Sequence, residues 1–227
     1  MLVAWVIAAA AAAQQTATAD YAGDARALDR IVVQNYAYED HWPGGVLPDS
    51  PTLAAERGAV HDGKSLLHYA EHRIASLADH HAITGSSFGN SWAIIPTYAD
   101  LWVERRGEAY LIDAVKPGSP AAAAGIVPGD RLDAIGGVPT ATAVRGYWQT
   151  LGLAITPERA DYAARLLTAG RRDRARDLTV AHDGRPRRLM LATLYSAHSD
   201  APAVTVSNES GGRTVIRFNN SCFINFI

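Results

Sequence analysis

The sequence has one cysteine, Cys222, and two lysines, Lys64 and Lys116, among its 227 residues. A single cysteine excludes an internal disulfide framework and any thiolate zinc cluster. Two lysines leave little choice for a catalytic amine. Charge of either sign is not in excess: 21 basic and 23 acidic residues give a formal net charge of −2. No broad field therefore favours nucleic acid or anionic lipid. The one basic run, Arg171, Arg172, Arg174 and Arg176, is interrupted by Asp173 and Asp177 and reads as a solvated helix end. The apolar fraction of 48% is that of a chain that buries a core.

Long hydrophobic runs are also lacking, with one exception at the start. Met1 to Ala13 is unbroken and apolar, too short to span a bilayer and the right length for a signal-peptide core. Ala17-Thr18-Ala19 offers a small-x-small cleavage site before Asp20. The expectation is a leader over residues 1–19, an exported chain (periplasmic or extracellular) and no lasting membrane insertion. A buried alanine-rich helix or an uncleaved anchor is the alternative, since no Lys or Arg precedes the run.

From Asp20 to Ala82 the period is helical. Leu28, Ile31, Val32 and Asn35-Tyr36 share one face, and Trp42-Pro43-Gly44-Gly45 breaks the pattern. Ser50-Pro51 is an N-cap followed by proline at the first helical position. A third helix is expected from Lys64 to His81, with Leu67, Ala70, Ile74 and Leu77 inward. After the Gly85–Gly89 loop the period changes. Leu101 to Glu104 and Tyr110 to Val115 read as strands, Ser119-Pro120 opens a short helix that Gly125 stops, and Arg131 to Ile135 is another strand. Thr156-Pro157 opens a helix ending near Gly170. Asp177 to Ala181 and Arg187 to Ala192 form a hairpin around Asp183-Gly184. Two further strands follow, Ala203 to Val206 and Thr214 to Phe218. The stretch from Thr140 to Ile155 finds no role in this reading.

The block Gly118-Ser119-Pro120-Ala121 through Gly125-Ile126-Val127-Pro128-Gly129-Asp130-Arg131-Leu132 to Ile135-Gly136-Gly137 resembles the central signature of bacterial PDZ domains. The resemblance implies strand addition: an extended peptide pairs with an exposed strand edge, and pockets read alternate side chains. It places the peptide beside Leu101, Trp102 and Val103, opposite a helix presenting Ala160, Ala164 and Leu167. The loop that would receive a terminal carboxylate is Tyr98-Ala99-Asp100-Leu101. A glycine is usual where Asp100 stands, and two carboxylates repel by about 1 kcal/mol at 4 Å in water.

The flanks, Tyr36-Ala37-Tyr38, Leu47-Pro48 and Ile216-Arg217-Phe218-Asn219-Asn220-Ser221, resemble C-terminal processing (tail-specific) serine peptidases. The implied organisation is α+β. A signal peptide (1–19) and a small N-terminal helical bundle (20–88) precede a PDZ-type, partly open β-barrel with two helices (89–195). The opening strands of a truncated peptidase domain (196–227) come last. That family pairs a serine nucleophile with a lysine base, and a lysine serves as base only with a lowered pKa. Ser119 is required as a helix cap beside Lys116, so no catalytic residue, metal or cofactor is assigned. The implied partner is a peptide or unfolded protein, not nucleic acid. A stand-alone exported PDZ module without catalysis is the alternative.

Two short motifs compete. Gly85-Ser86-Ser87-Phe88-Gly89 matches G-x-S-x-G, whose nucleophile elbow requires a strand before it and a helix after it. Here a helix is expected before it, and Pro96 follows. His68-Tyr69-Ala70-Glu71-His72 matches H-x-x-E-H, which sets two imidazoles on one helix face. His61, His80 and His81 add nearby ligands, but a catalytic zinc site needs a third protein ligand that only the fold can place.

Overall fold

The computed structural model describes residues 19–95, 98–195, 204–209 and 212–218. The leader, the Asn219–Ser221 motif and the apolar stretch from Cys222 lie outside the described residues.

Three helices come first: α1 (Tyr21–Asn35), α2 (Pro51–Gly58) and α3 (Gly63–Ala75). Each has a side-chain cap. Asp20 accepts from the Gly23 N–H, Ser50 from Leu53, and Asp62 forms a capping box with Ser65. Ala25, Val60 and Tyr69 make a small core between them.

The helical faces differ from the sequence expectation. Ile31 is 55% exposed, while Ala25 and Val32 are buried. In α3 the buried face is Tyr69, Arg73 and Ser76, not Leu67, Ala70, Ile74 and Leu77, which are half-buried. The cause is a polar network. The Arg73 guanidinium is fully buried, with Nε 2.9 Å from Asp29 Oδ1 and Nη2 3.0 Å from Asp49 Oδ1. It also donates to the Pro48 carbonyl and the Tyr69 hydroxyl. One arginine thereby ties α1, α3 and the chain entering α2. α3 also stops earlier than expected, at Ala75, and Ala78 turns the chain at φ 54°.

The second unit is an antiparallel sheet. Its strands are β1 (Leu101–Arg106), β2 (Ala109–Val115), β3 (Arg131–Ile135), β4 (Val138–Pro139), β5 (Arg176–His182) and β6 (Arg185–Leu191). The order is β1-β2-β3-β5-β6, with β4 beside β3, so β1 ends the sheet. The sheet is open. Asp183 and Gly184, both at positive φ (47° and 75°), make the two-residue turn expected between β5 and β6. The short helix α4 (Pro120–Ala123) is capped by Ser119.

Two long helices cover the sheet where one was expected: α5 (Thr140–Thr150) and α6 (Pro157–Ala169). α5 gives the unassigned stretch from Thr140 a role. Its Trp148 is fully buried and donates to the Arg159 carbonyl at 2.7 Å, locking α5 to α6. Its end docks the helical bundle: Ser50 Oγ donates to the Leu151 carbonyl at 2.6 Å, and Leu53 enters the main core. Gly152 (φ 66°) is required there, since a Cβ would stand 2.9 Å from Thr52 Oγ1.

The core consists of Val103, Ile112, Leu132, Leu178 and Val180 from the sheet, with Val144, Trp148, Ala160, Ala163 and Ala164 from α5 and α6. The last two strands, β7 (Val204–Glu209) and β8 (Arg213–Phe218), form a separate hairpin.

Candidate peptide-binding groove

The site begins with α6. Thr156 caps it, Pro157 fixes its first turn, and its alanine face lets it lie close along β1. Ala160 and Ala164 are fully buried in that contact; Leu167 is half-buried beside them. Val103 and Leu101 point inward, and Trp102 is half-buried.

Since β1 ends the sheet, alternate residues direct backbone groups away from β2. Two of these groups are held by α6 side chains. Asp161 Oδ1 accepts from the Arg105 N–H at 2.6 Å, and Arg165 Nε donates to the Val103 carbonyl at 2.9 Å. The Arg165 guanidinium also lies 3.9 Å over the Trp102 ring. Among the described residues the strand edge is latched by side chains and not paired with another strand.

The turn after α3 reaches the same place. The His80 ring stacks on Tyr162 at 4.4 Å and 14° and lies 6.2 Å from Trp102. Its pKa is lowered from 6.5 to about 3, first by burial and then by Arg165. The folded value lies below the unfolded one, so His80 supports the fold fully above pH 6.5 and opposes it progressively as pH falls toward 3. Unfolding free energies from urea titrations at pH 7 and pH 4.5 are expected to differ by roughly 2–3 kcal/mol through this residue. His80→Phe, which keeps the stack, removes that part of the difference.

The loop ahead of β1 is built differently from its sequence reading. Asp100 is buried, with its carboxylate bidentate on Arg176 at 2.6 and 2.8 Å. Oδ2 also accepts the Ala121 N–H, adding to the cap of α4. The charge expected to face a peptide terminus is paired inside the domain. Tyr98 stacks on Tyr195 at 4.3 Å, and Ala99 packs against the core. The basic run is correspondingly not a solvated helix end. Arg176 is buried, Arg171 lies 3.9 Å over Trp92, and Arg172 donates to Ser87 Oγ and the Phe88 carbonyl; Arg174 alone makes an exposed pair, with Asp173. No signal short of the fold reveals the partners of Arg171, Arg172 and Arg176, because those are remote in sequence.

A pocket of about 1370 Å³ lies behind the groove, between α3, the 82–95 loop, α5 and α6. Tyr147 and Tyr162 line it, and burial pushes both phenols upward, so they remain protonated. Ser87 stands in its exposed rim loop, with no strand before it and no helix after it, so the nucleophile elbow is not formed. Ser119 is buried and caps α4.

A family model described as a PDZ domain matches residues 111–147, from β2 into α5. No curated protein matches the chain. Among solved structures, a photosystem II D1 C-terminal processing protease aligns with a TM-score of 0.36 and 15% identity. The alignment covers 84% of this chain and 47% of that one, so the chain spans about half of that protein's length. The edge strand with its companion helix, the Ser119-capped turn and the Pro128-Gly129-Asp130 corner fall within or beside the matched block, and the chain contains a PDZ domain.

Proposed function

We propose that this PDZ domain holds an extended polypeptide along β1, opposite α6, as the recognition part of an exported serine-type peptidase. Hydrolysis would come from residues that this chain does not carry. One observation carries the binding reading: among the described residues, two outward groups of an edge strand, the Arg105 N–H and the Val103 carbonyl, are held by Asp161 and Arg165 side chains, which can rotate away. An incoming strand would offer the same donors and acceptors from its main chain. The exchange is near neutral in hydrogen bonds, so the latch makes binding weaker than an open edge would allow. Pairing of Asp100 with Arg176 removes the charge conflict with a terminal carboxylate.

The peptidase connection rests on the resemblance of the flanks, and export on the apolar run ahead of Asp20. In support of a boundary there, Asp20 caps α1, so cleavage after Ala19 would leave the helix with its cap.

The test uses fluorescence anisotropy with labelled ten-residue peptides of alternating apolar residues. Arg105→Pro removes one outward N–H at an edge position that tolerates proline. One main-chain hydrogen bond is worth about 0.5–1.5 kcal/mol, so affinity is expected to fall about two- to twelvefold with an unchanged circular-dichroism spectrum. Asp161→Ala with Arg165→Ala opens the latch and is expected to tighten binding. Equal affinity in the parent and in both variants would overturn the assignment.

A further inference from the structure

We infer that Glu56, His68 and His72 form a binding site for a divalent transition-metal ion of the zinc class, outside the peptide groove. The two histidines lie four residues apart on α3, which sets both imidazoles on one helix face. Their ring centroids are 4.3 Å apart. The fold then supplies what the sequence could not place. Glu56, in α2, brings both carboxylate oxygens to 3.0 Å from His72 Nδ1, and Oε1 to 3.8 Å from His68 Nε2.

One ligand atom from each of the three residues can be chosen so that all lie within 4.8 Å of one another. Tetrahedral zinc with bonds of about 2.0–2.1 Å sets its ligands about 3.3 Å apart. The separations of 3.0 and 3.8 Å from Glu56 straddle that spacing, and the two imidazole ligand atoms lie within 4.8 Å of each other. Two imidazoles and one carboxylate are a donor set for zinc, cobalt or nickel. Calcium and magnesium require more oxygen ligands.

An ion pair alone accounts for part of this geometry. Glu56 and His72 would meet without a metal, and the four-residue spacing alone brings the two imidazoles together; what the fold adds is one carboxylate within reach of both rings. The side chains are 21%, 52% and 31% exposed for Glu56, His68 and His72, so an ion can enter. His68 and His72 also line the pocket behind the groove. Three protein ligands leave one tetrahedral position for water or an incoming oxygen ligand. Glu71, the acidic residue of the H-x-x-E-H pattern, is not part of the set: Ser91 Oγ donates to it at 2.5 Å. The ion would pin α2 to α3.

The test is calorimetric titration of the full chain, stripped with chelator, using zinc chloride alone. A single saturable ion per chain is expected. Glu56→Gln, His68→Ala and His72→Ala are each expected to weaken it by at least about tenfold, the lower bound for losing even a supporting residue of a metal site. Glu71→Gln leaves it unchanged. Cobalt added to the parent chain is expected to give the visible spectrum of a tetrahedral site, a readout that does not depend on any variant folding. Absence of saturable zinc binding overturns the inference. So does a Glu56→Gln chain that binds like the parent, which would reduce the site to adventitious binding by surface histidines. Peptide affinity of the Glu56→Gln chain is expected to match the parent's, which separates this site from the groove reading.

Discussion

Arg176→Met is expected to destabilise the folded chain by about 3–5 kcal/mol, the cost of leaving one member of a buried ion pair alone. Arg176 and Asp100 are both nearly inaccessible, and their two hydrogen bonds are parallel and short. Methionine fills the volume of the arginine stem but leaves the Asp100 carboxylate in the interior without its cation. The guanidinium also donates to the Ala192 carbonyl at 3.2 Å, so the chain leaving β6 loses an anchor too. Guanidinium denaturation, followed by tryptophan fluorescence, measures the loss. The decisive comparison is the double change with Asp100→Asn. An asparagine oxygen still accepts the Ala121 N–H, and no buried charge remains. The double variant is expected to recover most of the loss, because removing both charges avoids the desolvation that removing one exposes. If both variants are equally unstable, the arginine acts through packing and not through charge.

The second large effect lies in the helical bundle. Arg73→Met is expected to cost about 3 kcal/mol or more. The arginine has no exposed surface and joins Asp29, Asp49, the Pro48 carbonyl and the Tyr69 hydroxyl. Asp29 keeps a second cation, Arg57, at 2.5 Å, and Asp49 is 45% exposed, so the loss falls at the lower end of the range. Arg73→Lys keeps a charge but cannot serve four acceptors with one ammonium, and it is expected to recover only part of the stability. Near-ultraviolet circular dichroism from Tyr69 and Tyr36 would report loosening of the bundle before the sheet unfolds. An Arg73→Met chain as stable as its parent would show that the network contributes orientation and not stability.

The buried arginines mark the boundary between what pattern and what folding decided. Caps and turns were legible because they are local. Ser50, Ser119 and Thr156 each satisfy an N–H within three residues, and Asp183-Gly184 closes a two-residue turn. Burial of charge was not. An arginine on a helix reads as solvent-facing unless its acceptors are known, and the carboxylates and carbonyl that hold Arg73 lie 24 to 44 positions earlier in the chain. The apolar face assigned to α3 and the solvated basic run both failed for this reason.

The candidate groove divides the same way. The strand from Leu101, the helix carrying Ala160, Ala164 and Leu167, and the corner at Pro128-Gly129-Asp130 were readable from spacing and from the resemblance they carry. Whether the edge of β1 stands open was not, because Asp161 and Arg165 close it across 56 and 62 positions of sequence. Local propensity and periodicity determined the order of helices and strands, since those depend on neighbours a few residues apart. The pairing of Asp100 with Arg176, the latch over Val103 and Arg105, the docking of α2 on α5 and the meeting of Glu56 with His68 and His72 were decided by tertiary structure alone. They depend on which distant side chains the packed core brings within hydrogen-bonding reach.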